Sequence, residues 1–159
     1  MASPKVYFAT DHAGLELKNG LVAFVRDELG HEVIDCGAYE SEPADDYPPL
    51  IVRAIRPLST DARQNIPSKA IILGGSGQGE AMIANRFSFV RAAVYYGGPT
   101  EIISFSREHN DANVLSLGAR FLSEDEAKTA VKQWLETPFS TEARHMRRIR
   151  QIEDLTPRT

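Results

Sequence analysis

The stretch that decides the fold is Ala70-Ile71-Ile72-Leu73-Gly74-Gly75-Ser76-Gly77-Gln78-Gly79-Glu80. It opens with a continuous apolar run, which is typical of a strand covered on both faces of a parallel sheet. A glycine-rich segment follows directly, and a helical pattern begins at Glu80. The order of strand, tight loop and helix predicts a βα unit.

Similar units lie on both sides of this stretch, because short β-branched or aromatic runs alternate with longer helical patterns. We predict strands at 6–10, 32–35, 70–73, 91–95 and 114–117. We predict helices near 14–29, 47–59, 80–86, 99–108 and 123–136. The expected fold class is α/β, a three-layer α/β/α domain with a five-stranded parallel sheet and right-handed crossovers.

The chain continues after this alternation is complete. Ser140 or Thr141 can cap a last helix. An apolar stripe recurs every three residues along that helix, at Met146, Ile149 and Ile152. We therefore divide a single domain into an α/β part, residues 1–138, and an appended basic helix and tail, residues 139–159. We expect the appendage to pack outside the sheet or on a partner subunit, because its apolar stripe needs cover.

The composition excludes several classes of protein. The 159-residue chain has a net charge of −4, and no aromatic residue lies in the basic tail, so we expect no nucleic-acid partner. No apolar run approaches the ~20 residues of a membrane-spanning helix, so we expect no membrane partner. Cys36 is the only cysteine, which excludes a disulfide framework. The N-terminus lacks a signal-peptide pattern, so we expect a cytoplasmic protein.

The charge is unevenly distributed. Residues 142–159 hold five arginines against three acidic residues, a net charge of +2, which leaves −6 on the rest of the chain. Arg144 and Arg148 are four residues apart and share a helix face, with His145 beside them. Guanidinium groups bind phosphate oxygens through paired hydrogen bonds, so the pattern predicts a phosphate site. A solvated basic face is the alternative.

Ligands of open parallel sheets bind beyond the carboxyl ends of the strands. Asp11 and His12 follow the first predicted strand, and the glycine-rich segment 74–79 follows the third. That segment is not a P-loop, because Glu80 stands where a P-loop needs lysine. It is not a dinucleotide fingerprint either, because that motif belongs after the first strand.

Glu80 limits what the glycine-rich segment can bind. A carboxylate would repel a phosphate dianion, so we expect the loop to hold an oxyanion that develops while Glu80 accepts a proton, as in proton removal beside a carbonyl. Simpler structural roles stay open. Glu80 can be a first-turn acid, Asp11 an N-cap, and His109 a cation at a helix C-terminus.

No cluster has metal-ligand spacing, and Cys36 lies among acids that raise a thiol pKa, so we expect no metal and a structural cysteine.

Seven motifs, in this order along the chain, resemble those of type B ribose-5-phosphate isomerases, in a family that includes bacterial galactose-6-phosphate isomerases. They are Asp11-His12-Ala13-Gly14, Asp46-Tyr47-Pro48, Gly74-Gly75-Ser76-Gly77-Gln78-Gly79, Ala84-Asn85-Arg86, Arg107-Glu108-His109-Asn110, Gly118-Ala119-Arg120, and Arg144-His145 with Arg148. The resemblance implies a Rossmann-like sheet and conversion of aldose phosphates to ketose phosphates without metal or cofactor. It also implies homodimers, or tetramers, whose sites are completed by a neighbouring subunit.

The resemblance further implies roles for single residues. Asp11 and His109 match residues that open the sugar ring, Ser76 the hydroxyl that assists proton movement between O1 and O2, and Asn110 a residue that holds the substrate. The anion hole is matched by Gly75, Ser76, Gly77, Gln78 and Gly79. The phosphate site, partly from the neighbouring subunit, is matched by His12, Arg120, Arg144, His145 and Arg148.

One position departs from many members of the family, which place a cysteine base where this chain has Gly74. A subgroup without that cysteine carries glutamate at the position of Glu80, and the chain resembles this subgroup. The predicted base is therefore Glu80, in agreement with the charge argument. The expected reaction interconverts D-ribose 5-phosphate and D-ribulose 5-phosphate through a cis-enediolate, a step of the pentose phosphate pathway. The alternatives are an isomerase of six-carbon sugar phosphates, such as galactose 6-phosphate, and a non-catalytic sugar-phosphate-binding module.

Overall fold

The computed structural model describes residues 3–157 and contains a five-stranded parallel sheet. Its strands are β1 (Val6–Thr10), β2 (Val33–Asp35), β3 (Lys69–Gly74), β4 (Ala92–Tyr95) and β5 (Val114–Gly118). They are arranged in the order β2-β1-β3-β5-β4, and every neighbouring pair is parallel. The predicted strands are confirmed to within two residues at each end, and so is the α/β class.

Six α-helices connect or follow the strands. They are α1 (Leu15–Ala23), α2 (Tyr47–Arg63), α3 (Gln78–Ala84), α4 (Glu101–Glu108), α5 (Glu124–Glu136) and α6 (Ala143–Leu155). The helix predicted over 14–29 is divided, since a 3₁₀ turn (His12–Gly14) precedes α1 and a π-helical turn (Phe24–Glu28) follows it. The prediction that α2 ends at residue 59 is wrong, because α2 continues through Pro57 to Arg63. Burial of its apolar face on both sides of the proline outweighs the local cost of the missing hydrogen bond.

The two central strands explain the continuous apolar runs in the sequence. Side chains alternate between the two faces of a strand. Phe8 and Ile71 lie in the core on one side of the sheet, whereas Ala9 and Ile72 lie in the core on the other side. Because both faces of β1 and β3 are covered, the positions along these strands are apolar or small, except Lys69 at the start of β3.

Two predicted helix caps have different outcomes in the structure. Ser123 and Glu126 form the reciprocal hydrogen bonds of a capping box at the start of α5. The prediction that Ser140 or Thr141 caps α6 is wrong, because the N-cap is Glu142 and no side chain caps the helix. Thr141 has a φ of 58°, which is a left-handed conformation rather than the extended one of an N-cap.

Helix α6 runs along the edge of the sheet where the strands begin. At its start, the Ser140 N–H donates to the Glu108 carbonyl at the end of α4 (3.2 Å), and near its end Glu153 accepts from the Phe89 N–H ahead of β4 (3.3 Å). Met146 and Ile152 of the apolar stripe are 46% and 45% exposed. The stripe is therefore not covered within one chain, and its packing on a partner stays a prediction. Arg158 of the basic tail lies outside the described residues.

None of the helices within residues 3–157 has the length and apolar character needed to cross a membrane.

Trp134 of α5 is fully buried in the core, and its indole N–H has no acceptor within residues 3–157. We expect Trp134→Ala to lower the free energy of unfolding by about 3–5 kcal/mol, because it leaves a large cavity. Trp134→Phe keeps most of the volume and removes the unpaired donor, so it should cost less. Urea denaturation followed by circular dichroism measures both, and equal losses would contradict this account.

Candidate active site

The carboxyl edge of the sheet brings together most of the predicted site residues. We call this group the glycine-loop cluster, and it contains Asp11, His12, Gly75, Ser76, Gly77, Gln78, Gly79, Glu80 and Arg120. The parallel register explains the grouping. Thr10 of β1 lies beside Leu73 of β3, and Gly74 lies beside Gly118 of β5, so the residues that follow these strands are neighbours.

Glu80, in the first turn of α3, is buried with its carboxylate against the backbone of Gly74. A Cβ atom at position 74 would overlap that carboxylate. Position 74 therefore has room for the glutamate only because it lacks a side chain. The same space cannot hold both a cysteine side chain at position 74 and the Glu80 carboxylate, which gives a steric reason for the departure seen in the sequence.

The environment of Glu80 makes its carboxylate a stronger base. Burial raises the pKa of Glu80 above its ordinary 4.5, and the negative charge of Asp11 raises it further. Hydrogen bonds from the backbone N–H groups of Gly77 and of Glu80 itself oppose this shift. A buried carboxylate that is held in place and made more basic is suited to taking a proton from carbon.

The glycine loop is held in shape by its neighbours. Gly77 has a φ of 78°, and its carbonyl accepts from the buried Ser116 hydroxyl at 2.6 Å. Gly79 lies against the Tyr47 ring, so a side chain there would collide with it. The Ser76 hydroxyl accepts from the Gln78 N–H at 3.3 Å. The loop thus presents backbone N–H groups at the start of α3, where an anion is favoured.

His12 is oriented by an acidic residue that the sequence analysis did not single out. Asp45 accepts from the His12 backbone N–H (3.0 Å) and pairs with His12 Nδ1 (2.7 Å). This hydrogen bond raises the pKa of His12, whereas nearby Arg120 lowers it. The cationic form of the ring is therefore favoured, with Nε2 free to meet an anion.

Asp11 serves as the N-cap of the 3₁₀ turn, since its carboxylate accepts from the Ala13 N–H at 2.9 Å. Ligand-type atoms of Asp11, His12 and Asp45 lie within 4.8 Å of one another. The short bond between His12 and Asp45 accounts for the closest of these approaches.

Arg120 lies over the glycine loop. Its backbone N–H donates to the Gly75 carbonyl at 3.1 Å, and its guanidinium group packs against the Gly75 backbone. The side chain is otherwise exposed. A cation is therefore held beside the loop and next to His12.

The remaining predicted site residues form a second group, which we call the histidine–arginine cluster. It contains His109, Asn110, Arg144, His145 and Arg148. The His109 ring is stacked between Phe105, with ring centroids 4.8 Å apart, and His145, at 4.5 Å. Burial lowers the pKa of His145, and the neighbouring His109 and Arg144 lower it further. His145 is therefore favoured in its neutral form.

The two clusters lie on opposite edges of the sheet. Helix α4 starts after the carboxyl end of β4 and returns to the beginning of β5, as a crossover between parallel strands must. Arg91, just before β4, donates to the Asn110 carbonyl at 2.9 Å, which fixes His109 and Asn110 at the amino edge. Within one chain, the expected pairing of Asp11 with His109 is therefore not formed.

Three residues that support the site were missed as functional candidates. Asp45 orients His12, Tyr47 packs on Gly79, and Ser116 holds the Gly77 carbonyl. Tyr47 was part of a motif without an assigned role, and Asp45 was one of several acids in a loop. No sequence signal marked Ser116, since a serine in a buried strand gives no hint of its partner.

Cys36, which the sequence predicts to be structural, and His31 both have the surroundings of structural residues. Burial raises the pKa of the Cys36 thiol, and Asp35 raises it further, so the cysteine is not activated. His31 Nδ1 is paired with the Pro4 carbonyl at 3.0 Å.

Comparison with known proteins identifies the family of this chain. Residues 6–152 match the family model described as Ribose/Galactose Isomerase. The chain belongs to this family. Ribose-5-phosphate isomerase B of Mycobacterium tuberculosis is 38% identical over 149 residues, which cover 94% of this chain and 88% of that protein. The enzyme of the same name from Mycolicibacterium paratuberculosis is 38% identical over 145 residues, covering 91% and 87%.

Solved structures show the same fold. The structure of ribose 5-phosphate isomerase B from Anaplasma phagocytophilum has a TM-score of 0.84 and 36% identity, covering 96% of this chain and 98% of that one. The structure of ribose-5-phosphate isomerase B from Mycoplasma genitalium, which contains bound ribulose-5-phosphate, has a TM-score of 0.87 and 28% identity, covering 98% and 97%.

The pairing of His12 with Asp45 predicts a titration effect. We expect Asp45→Asn to lower the pKa of His12, because the carboxylate that favours the imidazolium is lost. An NMR titration of the His12 ring measures this. Asp46→Asn is the matched control, because Asp46 is in the same loop and its side chain makes no cap bond to α2. An unchanged His12 pKa in Asp45→Asn, or an equal fall in both variants, would contradict the pairing.

Proposed function

We propose that this chain interconverts D-ribose 5-phosphate and D-ribulose 5-phosphate, with Glu80 as the base. The observation that carries the proposal is the Glu80 carboxylate, which is buried against Gly74 beside a loop that presents backbone N–H groups. The names of the relatives and the ribulose-5-phosphate bound in the Mycoplasma genitalium structure support the choice of substrate.

The reaction moves one proton between two carbons. Glu80 takes the proton from C2 of the open-chain aldose, which leaves a cis-enediolate, and returns it to C1 to give the ketose. The negative charge that develops on oxygen faces the N–H groups of residues 75–79. The Ser76 hydroxyl passes the remaining proton between O2 and O1. Atoms and charge balance without any added oxidant or reductant.

The other predicted residues bind the substrate and open its ring. His12 and Arg120, which are neighbours at the carboxyl edge, hold the phosphate together with Arg144, His145 and Arg148. Asp11 and His109 open the furanose ring, and Asn110 holds the open-chain sugar. Binding energy from the remote phosphate positions the reacting carbons at Glu80.

The site is completed by a second copy of the chain. One chain holds the two clusters on opposite edges of the sheet, so its own histidine–arginine cluster cannot reach its own Glu80. In a two-fold dimer, the histidine–arginine cluster of each copy faces the glycine-loop cluster of the other, and two equivalent sites result. The exposed stripe of α6, which includes Met146 and Ile152, is the apolar surface available for this contact. Two such dimers can further form a tetramer.

The cytosol is the proposed location, which cell fractionation tests.

A direct assay of ribose 5-phosphate conversion tests the function. The same assay with galactose 6-phosphate distinguishes a pentose isomerase from an isomerase of six-carbon sugars, and binding without turnover of either sugar would indicate a non-catalytic module.

The role of Glu80 predicts the behaviour of Glu80→Gln. We expect kcat on ribose 5-phosphate to fall by about 10²–10⁴-fold, the usual contribution of a general base, with little change in KM. Glu101→Gln removes a carboxylate from the first turn of helix α4, where it is exposed, and should leave kcat unchanged. Turnover near that of the wild type in Glu80→Gln would remove Glu80 from this role.

The raised pKa of Glu80 also predicts a gain in stability. A carboxyl group whose pKa is higher in the folded state loses folding free energy as pH rises through that pKa. Glu80→Gln should therefore be more stable than the wild type at pH 7, and the difference should vanish below the ordinary pKa of 4.5. Thermal denaturation at both pH values measures the effect, and a less stable variant at pH 7 would indicate that the carboxylate is structural.

The shared site predicts complementation between two inactive variants. Glu80→Gln and His109→Ala should each be inactive alone, whereas a mixture refolded together should regain about a quarter of wild-type activity. About half of randomly paired dimers are mixed, and each mixed dimer has one site with both residues intact. Recovery is measured by the ribose 5-phosphate assay. A mixture that stays inactive would show that both residues act in one chain.

A further inference from the structure

A cavity of about 360 Å³ lies at the amino edge of the sheet, and none of the residues assigned to the proposed reaction lines it. Three cations line it, Lys69, Arg91 and Arg107, together with one carboxylate, Asp111. Lys69 is the first residue of β3, so the cavity is separated from the glycine loop by the whole length of that strand. Arg107 belongs to one of the sequence motifs, yet the proposed mechanism gives it no role.

Lys69 is a cation without a direct counter-charge. Its Nζ forms no hydrogen bond or ion pair with any residue of the described range 3–157. Burial, followed by the charge of Arg107, lowers the pKa of Lys69 to about 8, although Asp111 opposes the shift. The amine is still protonated at neutral pH, so a positive charge is held in the cavity at an energetic cost.

The two arginines are held rigidly by the only acidic residue that lines the cavity. Arg107 is buried and donates to the Asp111 carboxylate (2.8 Å) and to the Ala112 carbonyl (2.7 Å). Arg91 donates to the Asp111 carbonyl at 2.8 Å, and its guanidinium lies 3.6 Å from the Asp111 carboxylate. Arg91 also donates to the Glu153 carboxylate at 3.5 Å. Two carboxylates therefore serve the three cations, and one positive charge is left in excess.

We propose that this cavity binds a phosphate-class anion, either inorganic phosphate or a small phosphate monoester, through Lys69 with Arg107. The cations are already in place, so little ordering is needed on binding. An anion offsets the excess charge, and the oxygens of one phosphate group can accept hydrogen bonds from Lys69 and Arg107 together. The volume also accommodates a short organic group beside the phosphate, next to the apolar wall that includes Ile66 and Pro67.

Chemical reactivity of the lysine tests the proposal. An anion on Lys69 raises the pKa of the amine, and each unit of that rise lowers the reactive free-amine fraction at pH 7 about tenfold. Brief acetylation with acetic anhydride, resolved by peptide mass spectrometry, should therefore modify Lys69 about tenfold more slowly in phosphate than in chloride of equal ionic strength. Exposed Lys132 is the internal control and should react equally in both. Equal protection of both lysines, or none of either, would overturn the proposal.

Direct binding provides a second measurement. Equilibrium dialysis with radioactive inorganic phosphate measures the phosphate bound per chain. Lys69→Met should bind one equivalent of phosphate less than the wild type. Arg148→Ala, which acts on the proposed substrate site, should keep the equivalent that depends on Lys69. Competition by glycerol 3-phosphate at lower concentration than inorganic phosphate would identify a monoester as the preferred ligand, and the reverse order would identify the free anion. If Lys69→Met binds as much phosphate as the wild type, the cavity is not an anion site.

Discussion

All five strands point in the same direction, and this single constraint places every other feature of the molecule. The segments that follow the strands meet at one edge, which gathers Asp11, the glycine loop and Arg120. The helices must return to the opposite edge before the next strand begins, which carries His109 and Asn110 away from the same loop. The topology of the sheet thus separates, within one chain, residues that are proposed to act in the same site.

Gly74 and Glu80 show how the absence of one side chain makes room for another. Gly74 ends β3 without a side chain, and the Glu80 carboxylate occupies the space that a Cβ atom would take. The carboxylate is held out of water near Asp11, which makes it more basic and makes its ionised form less favourable for the fold. With Glu80 in the proposed role of base, stability is lowered at the site of reactivity, a compromise often found where a protein performs chemistry.

The sequence alone predicted the parallel sheet, since apolar runs such as 70–73 can only be covered on both faces. It also predicted Glu80 as the base, because the charge of a carboxylate is incompatible with binding a phosphate at the same loop; this role stays a prediction. The Asp45 partner of His12 could not be predicted, because the contact joins two loops 33 positions apart and depends on how the acidic loop folds. The separation of the two clusters could not be predicted from the sequence either. Residue types along a chain indicate which chemistry is present, but which edge of the sheet each residue occupies follows only from the path of the helices.

In the proposed dimer, helix α6 makes the folding and activity of the molecule depend on its concentration. Of its residues only His145 is buried within the chain, while an apolar stripe remains open along the rest. If that stripe is covered by a second copy, dilution removes the cover from the helix and the second half of the catalytic site in the same event. Heat resistance and turnover would then fall together as the protein is diluted, since mass action governs both. The concentration of the enzyme in a cell would then determine which fraction of it is active, in addition to how much enzyme is present.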